Sequence, residues 1–533
     1  MGLFISNNVI GFRLIILRFL MLQQPTYLYR VFERSFLLEW LFAFAVVVVA
    51  RLPYLLSAHV YFDGDEAMLG IMARDLLNGT NIPFYFYGQN YGLSFFEVLS
   101  AAVFIPFLGS SLASLKLGGM LLFSLGIQRF VRVFRKLEFN QIAFLLAVII
   151  LALFPTWLVW ATKLRGGYIT AFVGIAFILE QVLLYRKWER KNWVVVVIIG
   201  SIIIWAQPLF LLPVLPLLVK RLFSINKTDI LPLIAIGLVS LILLRLPAYL
   251  NSDYWTPTGV GVFEFQNFST YLIDGFWSNF TGWFSYRDLY KVPEMVKWSA
   301  LGLSVCVVLL FAFTLSKSKR EQKTNLLLLA LGIVLSAIPV AFFGVSGGRY
   351  LLPFYTGIML LLTTTLVYLH TVSFNQLAKA IGLLTLVLVM LPGVSGYSNY
   401  TGFWLEPKLN DMQVLNELRA ELKSRDINHA FVSEWQLAWQ LNYLGNDESS
   451  FRYLFETDRV QRYIEDVNEC YLDSECKIAM VGTHWPLHDM QNLSDWNTRM
   501  ERVNDRFYIM NEPEVIFLET GGFELPTASL KSN

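Results

Sequence analysis

Tyr61-Phe62-Asp63-Gly64-Asp65-Glu66 is the stretch on which the reading of this chain turns, with the run Ala67 to Glu97 behind it. Three carboxylates, Asp63, Asp65 and Glu66, follow an apolar segment at 35–56 that is long enough to cross a bilayer. Acid at the exit of a membrane span is either a solvated cap or a working site. Which of the two applies depends on how the rest of the chain threads the membrane and which side this stretch faces.

The composition bounds the class. Of 533 residues, 56% are hydrophobic and 15% charged, and the mean hydropathy is +0.52, well above that of ordinary soluble domains. That is the profile of a polytopic membrane protein. The net charge of +2 is spread over short Lys/Arg clusters between apolar runs, so there is no basic face for nucleic acid. Residues 1–34, with Arg13 and Arg18 in a moderately apolar stretch, read as a cytoplasmic interfacial segment.

A span needs roughly 20 apolar residues to cross about 30 Å of hydrocarbon. That ruler picks out about eleven candidates, at 35–56, 111–134, 140–160, 168–185, 193–205, 207–221, 229–247, 296–316, 325–344, 350–370 and 377–396. The pair around Trp205-Ala206-Gln207-Pro208 is short, but both of its outer flanks are basic, which fits a hairpin better than a single span. Cytoplasmic loops carry the excess of Lys and Arg. Arg30 with Arg34, Arg132-Arg135-Lys136, Arg186 to Lys191, Lys220-Arg221-Lys227 and Lys317 to Lys323 therefore mark the inside. These clusters agree only if Gly92 to Leu108 lies in the outer interface without crossing, with Glu97 facing water or the site.

The threading places a first outer loop at 57–110, a long outer loop at 248–295 and a soluble extracytoplasmic domain at 398–533 outside a transmembrane domain at 35–397. The C-terminal part reads as a small α/β domain. Its expected elements are a helix at Met412 to Lys423 and strands at His429 to Ser433, Lys477 to Gly482, Arg506 to Met510 and Val515 to Leu518. Cys470 and Cys476 are either a disulfide, which an oxidising compartment permits, or two free thiols. No Cys/His array has zinc spacing, and His484 and His488 lack matching partners.

Here the residues carry a resemblance. Asp65-Glu66-Ala67, then Met72 to Gly79, then Tyr87-Gly88-Gln89-Asn90-Tyr91-Gly92 with Glu97, resemble the first outer loop of polyprenyl-phosphate-sugar-dependent membrane glycosyltransferases. These enzymes of the GT-C fold include the protein O-mannosyltransferases and the lipid A aminoarabinose transferases. Gly348-Arg349-Tyr350-Leu351-Leu352-Pro353 is similar to the family's Arg-Tyr-Leu-Leu-Pro element at an outer helix start. The resemblance covers roughly residues 35 to 400.

The resemblance implies a sugar on a polyprenyl phosphate, moved with inversion to an acceptor hydroxyl on a glycan, lipid or protein. It implies Asp65 as the general base, with Asp63 as its rival and Glu66 orienting the acceptor or the base. A departing lipid phosphate calls for cations, and Arg suits it through its planar fork of donors. Arg349, beside Tyr350 and after Ser346-Gly347-Gly348, is the first candidate, and Lys163 and Arg165 are the next. The bland alternative for all three is snorkelling to headgroups. Gln89, Tyr91, Tyr168, Gln207 and Glu97 are further candidates for the sugar or its lipid, although an interfacial aromatic belt accounts for the aromatic members as well.

The chain departs from its relatives in two places. The second outer loop, Thr162-Lys163-Leu164-Arg165, is cationic where those relatives carry an acid, and Tyr91-Gly92-Leu93-Ser94 replaces a Lys-Pro-Pro element. No cofactor is expected, and Asp63, Asp65 and Glu66 make only a weak case for a divalent metal. A transporter or flippase for lipid-linked sugars, or a non-catalytic assembly protein, stays open as an alternative. The expected location is a bacterial inner membrane, with the site and the C-terminal domain facing the periplasm.

Overall fold

The computed structural model describes residues 36–56, 60–89, 91–136, 141–185, 188–250, 294–343, 348–371, 412–446, 448–453, 459–473, 475–483, 501–504 and 507–510. The interfacial segment expected at 1–34, the span at 377–396 and most of the long loop at 248–295 lie outside the described residues. So do the strand expected at Val515 to Leu518, His484 and His488.

Among the described residues, most of the expected apolar stretches fold as helices. They are α1 (Phe36–Leu55), the two-part segment of α4 (Gln141–Leu153) and Pro155–Trp160, α5 (Tyr168–Leu184), α6 (Arg190–Ala206), α7 (Lys227–Leu250), α8 (Glu294–Lys317), α9 (Arg320–Phe343) and α10 (Leu352–Thr371). Between α1 and α4 come α2 (Gly64–Asn78) and the long α3 (Leu112–Lys136). The candidate at 140–160 breaks at Pro155, where the ring removes an amide donor and opens the second piece at its N-terminus. After α6 the chain makes a short turn at Pro208–Leu211 and a helix at Leu215–Leu222, so the second half of the expected hairpin, 207–221, is not one continuous helix.

Burial separates a central helix from peripheral ones. In α5, apolar almost all round, nearly every residue from Tyr168 to Glu180 is buried, as befits a helix at the centre of a bundle. In α7, Leu231, Ile234, Leu238, Val239, Ile242 and Leu243 are exposed, a continuous apolar surface suited to lipid. Among the described residues, Lys227–Pro247 and Arg320–Pro339 are long and apolar enough to cross a membrane by length and composition alone. Gly92 to Leu108 folds into helices of 8 and 4 residues, Phe95–Ala102 and Ile105–Leu108. At 1.5 Å per residue the longer covers about 12 Å, too little to cross a bilayer.

The C-terminal domain has a five-stranded sheet in the order β2-β1-β3-β5-β4. Its strands are β1 (His429–Val432), β2 (Ser450–Tyr453), β3 (Ile478–Thr483), β4 (Glu501–Arg502) and β5 (Phe507–Met510). β1 pairs in parallel with β2 and β3, and β5 runs antiparallel to β3 and β4. Helices Met412–Ser424, Trp435–Gly445 and Gln461–Leu472 complete the domain, the last two in stretches to which the sequence reading assigned no helix. Cys470 and Cys476 are joined as a disulfide. His429 lies beside them, but sulfurs bonded to each other are not free to ligate a metal.

Candidate functional site

The acidic stretch forms the first turn of a helix, Gly64–Asn78, that stands outside the bundle at the end where α1 finishes and α3 and α5 begin. Asp63 is its N-cap. The carboxylate accepts from the backbone N–H of Glu66 at 2.9 Å, and Glu66 reaches back to the N–H of Asp63 at 3.4 Å, which makes a capping box. Part of the acid is therefore explained by the helix itself, through its orphan amides and its dipole.

The three carboxylates nevertheless have different surroundings. Glu66 is fully buried and is bonded by Lys116 of α3, itself fully buried. Burial pushes the Glu66 carboxyl up, against the pull of Lys116. Asp63 is buried against Lys163 at 3.2 Å and Arg165 at 3.4 Å. Burial alone would raise its carboxyl, but these two cations outweigh burial and hold it well below the usual carboxylate range. Asp65 lies 2.6 Å from Arg165 Nε, an ion pair made off the N–H direction, and its side chain keeps 17% exposure. Asp65 is therefore the acid of the three that stays open to solvent.

Lys163 and Arg165 are brought here by a loop pinned from several directions. Arg51 of α1, fully buried, donates to the carbonyls of Trp157 and Leu158 and so caps the short helix Pro155–Trp160. The Lys163 ammonium sits 4.1 Å over the Tyr61 ring. Gln207 Nε2 donates to Gly166 O at 2.9 Å, and the carbonyl of Trp205 accepts from the amides of Gly92 and Leu93. Gly167 has φ of +87°, and a Cβ there would come within 2.8 Å of the Leu93 carbonyl oxygen, so glycine is needed on both counts.

Glu97 is placed differently from the expectation that it faces water or the site. It is fully buried, and its two oxygens accept from the amides of Gly167 at 3.1 Å, Ile169 at 2.9 Å and Thr170 at 3.3 Å. It caps the N-terminus of α5 from another helix, satisfying amides that the helix leaves unpaired. Burial raises its carboxyl to about 7, against the pull of those amides. Its place is structural: it ties the helix Phe95–Ala102 to the loop that carries Arg165.

The remaining candidates line the same end of the molecule. Arg349 and Tyr350 occupy a single turn, Gly348–Leu351, ahead of α10, with Arg349 Nη2 donating to Tyr350 Oη at 3.1 Å. Tyr91 is half-buried, which raises its hydroxyl, and Tyr350, Arg349, Arg459 and Asp65 lie near enough for their charges to act on it. Tyr168 is near Arg349, with its ring packed 5.2 Å from that of Trp160. Gln89 is half-buried in the turn that its amide closes onto Phe86 O. Gln207 spends its amide donor on Gly166, so its first task is to hold the loop.

Lys116, Arg51, Arg459 and Gln440 are the residues that sequence reasoning missed. Lys116 and Arg51 had a signal, since each is a charge set within an apolar run, where charge is expensive and usually has a partner. Arg459 and Gln440 had none, because they reach the site from the C-terminal domain.

The bundle with its acidic outer helix defines a protein of the GT-C fold. Solved structures with this fold include ArnT from Cupriavidus metallidurans bound to undecaprenyl phosphate, similar to this chain at a TM-score of 0.52 and 14% identity. The match covers 87% of this chain and 97% of that one. ArnT from the same organism in the apo state matches at a TM-score of 0.53 and 13% identity, over 89% of this chain and 98% of that one. At such identities the likeness is one of fold. No protein-family pattern and no curated protein matches the chain.

Proposed function

We propose that this protein is an inverting glycosyltransferase of the inner membrane, moving a sugar from a polyprenyl phosphate to an acceptor hydroxyl at the periplasmic face. The observation that carries the reading is the position of Asp65. It is the solvent-accessible acid of the three, held by Arg165, and Tyr91 lies within electrostatic range of it and of Arg349 and Tyr350. The fold shared with ArnT, one of whose structures holds undecaprenyl phosphate, supports a lipid-phosphate donor.

In this scheme the acceptor oxygen attacks the anomeric carbon as the bond from that carbon to the phosphate oxygen breaks. The electron pair leaves with the lipid phosphate, and the acceptor proton passes to Asp65. Arg349, with Tyr350 and Arg165, stabilises the charge that builds on the phosphate, where preformed donors in a dry site contribute most. Asp63, Glu66, Lys116 and Lys163 keep the acidic turn in place. Asp63 and Glu66 already have ammonium and guanidinium partners, so a divalent ion would have to displace Lys163 or Lys116, and no step is assigned to a metal.

The test compares surface glycans, lipids and glycoproteins by mass spectrometry with and without the protein. One sugar missing from one class of molecule is the expected result and identifies the acceptor as a glycan, a lipid or a protein. An unchanged profile, together with no release of polyprenyl phosphate by the purified protein, removes the transferase reading.

A further inference from the structure

The helix Gly64–Asn78 has two sets of neighbours. Its first turn meets the cations described above, and a second flank is covered by Trp435–Gly445 of the C-terminal domain. The two helices meet at glycines. A Cβ on Gly64 would lie 2.8 Å from Gln436 Cα, and one on Gly70 would lie 2.4 Å from the Tyr443 ring. Any larger side chain there forces the helices apart.

Polar ties run along the length of this contact. Near the far end, Arg74 Nη2 donates to Tyr463 Oη at 2.8 Å, and Arg462 pairs with Asp75 at 2.8 Å. In the loop beyond, Arg459 Nη1 donates to Tyr87 O at 3.4 Å, with its guanidinium 4.8 Å over the Trp439 ring. At the near end, the side chain of Gln440, 1% exposed, donates from Nε2 to the carbonyl of Phe62.

That last bond holds one end of a single peptide plane. The unit linking Phe62 to Asp63 has its C=O on Gln440 and its N–H on Glu66 Oε2. A peptide is rigid and planar, so turning its carbonyl also turns its amide. If the Gln440 donor is lost, a buried carbonyl has no partner unless the plane rotates, and rotation pulls the Asp63 amide away from Glu66. The capping box and the direction of the acidic turn then change together.

We propose that the C-terminal domain is a positioning element of the catalytic site, with Gln440 setting the Phe62–Asp63 peptide and thereby the direction in which Asp65 is presented. The word catalytic rests on the transferase reading above; the grip on the peptide does not. A domain carried merely as an appendage would meet the loop through exposed, water-competed pairs, whereas Gln440, Arg74 and Asp75 are all buried.

The experiment uses the full chain in lipid nanodiscs with Gln440→Met, which keeps the length and removes the donor. Hydrogen exchange reads the amides of 63–67, and transfer from a polyprenyl-phosphate sugar reads turnover. The expected result is faster exchange at 63–67 and turnover down roughly 10- to 100-fold, the scale of a small misplacement of a reacting group. Donor binding and the thermal midpoint should stay close to wild type. If Gln440→Met does not fold, Gln440→Glu tests the same bond, since the carboxyl donates only when protonated and its turnover should recover on acidification relative to wild type. Wild-type exchange at 63–67, or faster exchange with wild-type turnover, overturns the proposal. A wild-type protein without transferase activity would overturn the function, while the exchange result would still decide the grip.

Discussion

Two clusters of paired acids and cations stand at opposite ends of the helical bundle. At one end Glu180 of α5 is bridged by Arg129 and Arg132 of α3, each at 3.3 Å. At the other, Asp63, Asp65 and Glu66 meet Lys116, Lys163 and Arg165. The first group is closed around its acid: Glu180, itself buried, lies between two cations, one of which, Arg129, also stacks 4.2 Å over the Phe177 ring. The second is open at one member, Asp65. Buried charge in a bundle therefore does not by itself indicate chemistry. An acid held by the same kind of network and still open to solvent, Asp65, is the one for which a catalytic role is proposed.

The sharpest way to break this comparison is Asp65→Asn. Sugar transfer should fall about 10²- to 10⁴-fold, the usual contribution of a general base, while the lipid-phosphate donor still binds. Full retained turnover with a saturating donor would return Asp65 to the same standing as Glu180.

Lys116→Met tests whether the closed part of the acidic site is structural. Leaving Glu66 buried without its partner should cost about 3–5 kcal/mol of stability, seen as a lower thermal midpoint. Adding Glu66→Gln should recover much of that loss, because a buried pair removed as a pair is close to neutral. A single variant as stable as wild type would show that the pair holds nothing in place.

The capping carboxylate Glu97 gives a pH signature. Its folded value of about 7 lies above the 4.5 of a free glutamate, so the native state binds the proton more tightly than the unfolded chain does. Its contribution is complete below about 4.5 and is lost as pH rises through about 7, an effect of at most roughly 3 kcal/mol. Thermal unfolding should occur at a higher temperature at pH 5 than at pH 8, and Glu97→Gln should flatten that difference. An unchanged slope in the variant would assign the pH dependence to other groups, of which Glu66 acts in the same direction.

At the closed end, Glu180→Gln should lower stability by about 1 kcal/mol, since both arginines are partly exposed, and leave turnover untouched. A fall in turnover comparable to that of Asp65→Asn would erase the distinction between the two ends. The smallest effect is expected from chelation. With protein cations already on Asp63 and Glu66, EDTA should leave transfer unchanged, and loss of activity restored by a divalent ion would contradict that assignment.

Much of the candidate site was legible in the sequence. The acidic turn, Lys163, Arg165 and Arg349 were singled out one by one, and the structure draws them to one end of the bundle, with Arg165 bridging Asp63 and Asp65. That 92–108 is not one long helix agrees with the expectation that it does not cross, since it folds as helices of 8 and 4 residues. Glu97 was harder. An acid on a short apolar helix reads as facing water, and nothing local indicates that the N-terminus of a helix some 70 residues later needs a cap.

The amino-acid sequence by itself determined the apolar helices, the capped acidic turn and the separate α/β domain. These follow from hydropathy, periodicity and end chemistry, which act over a few neighbouring residues. Only the tertiary structure decided which acid stays open and what holds the others. Lys116 lies 50 residues from Glu66, and Gln440 lies 378 residues from Phe62. Partnerships over such separations are made where helices cross and domains dock, and no local pattern records which residues meet there.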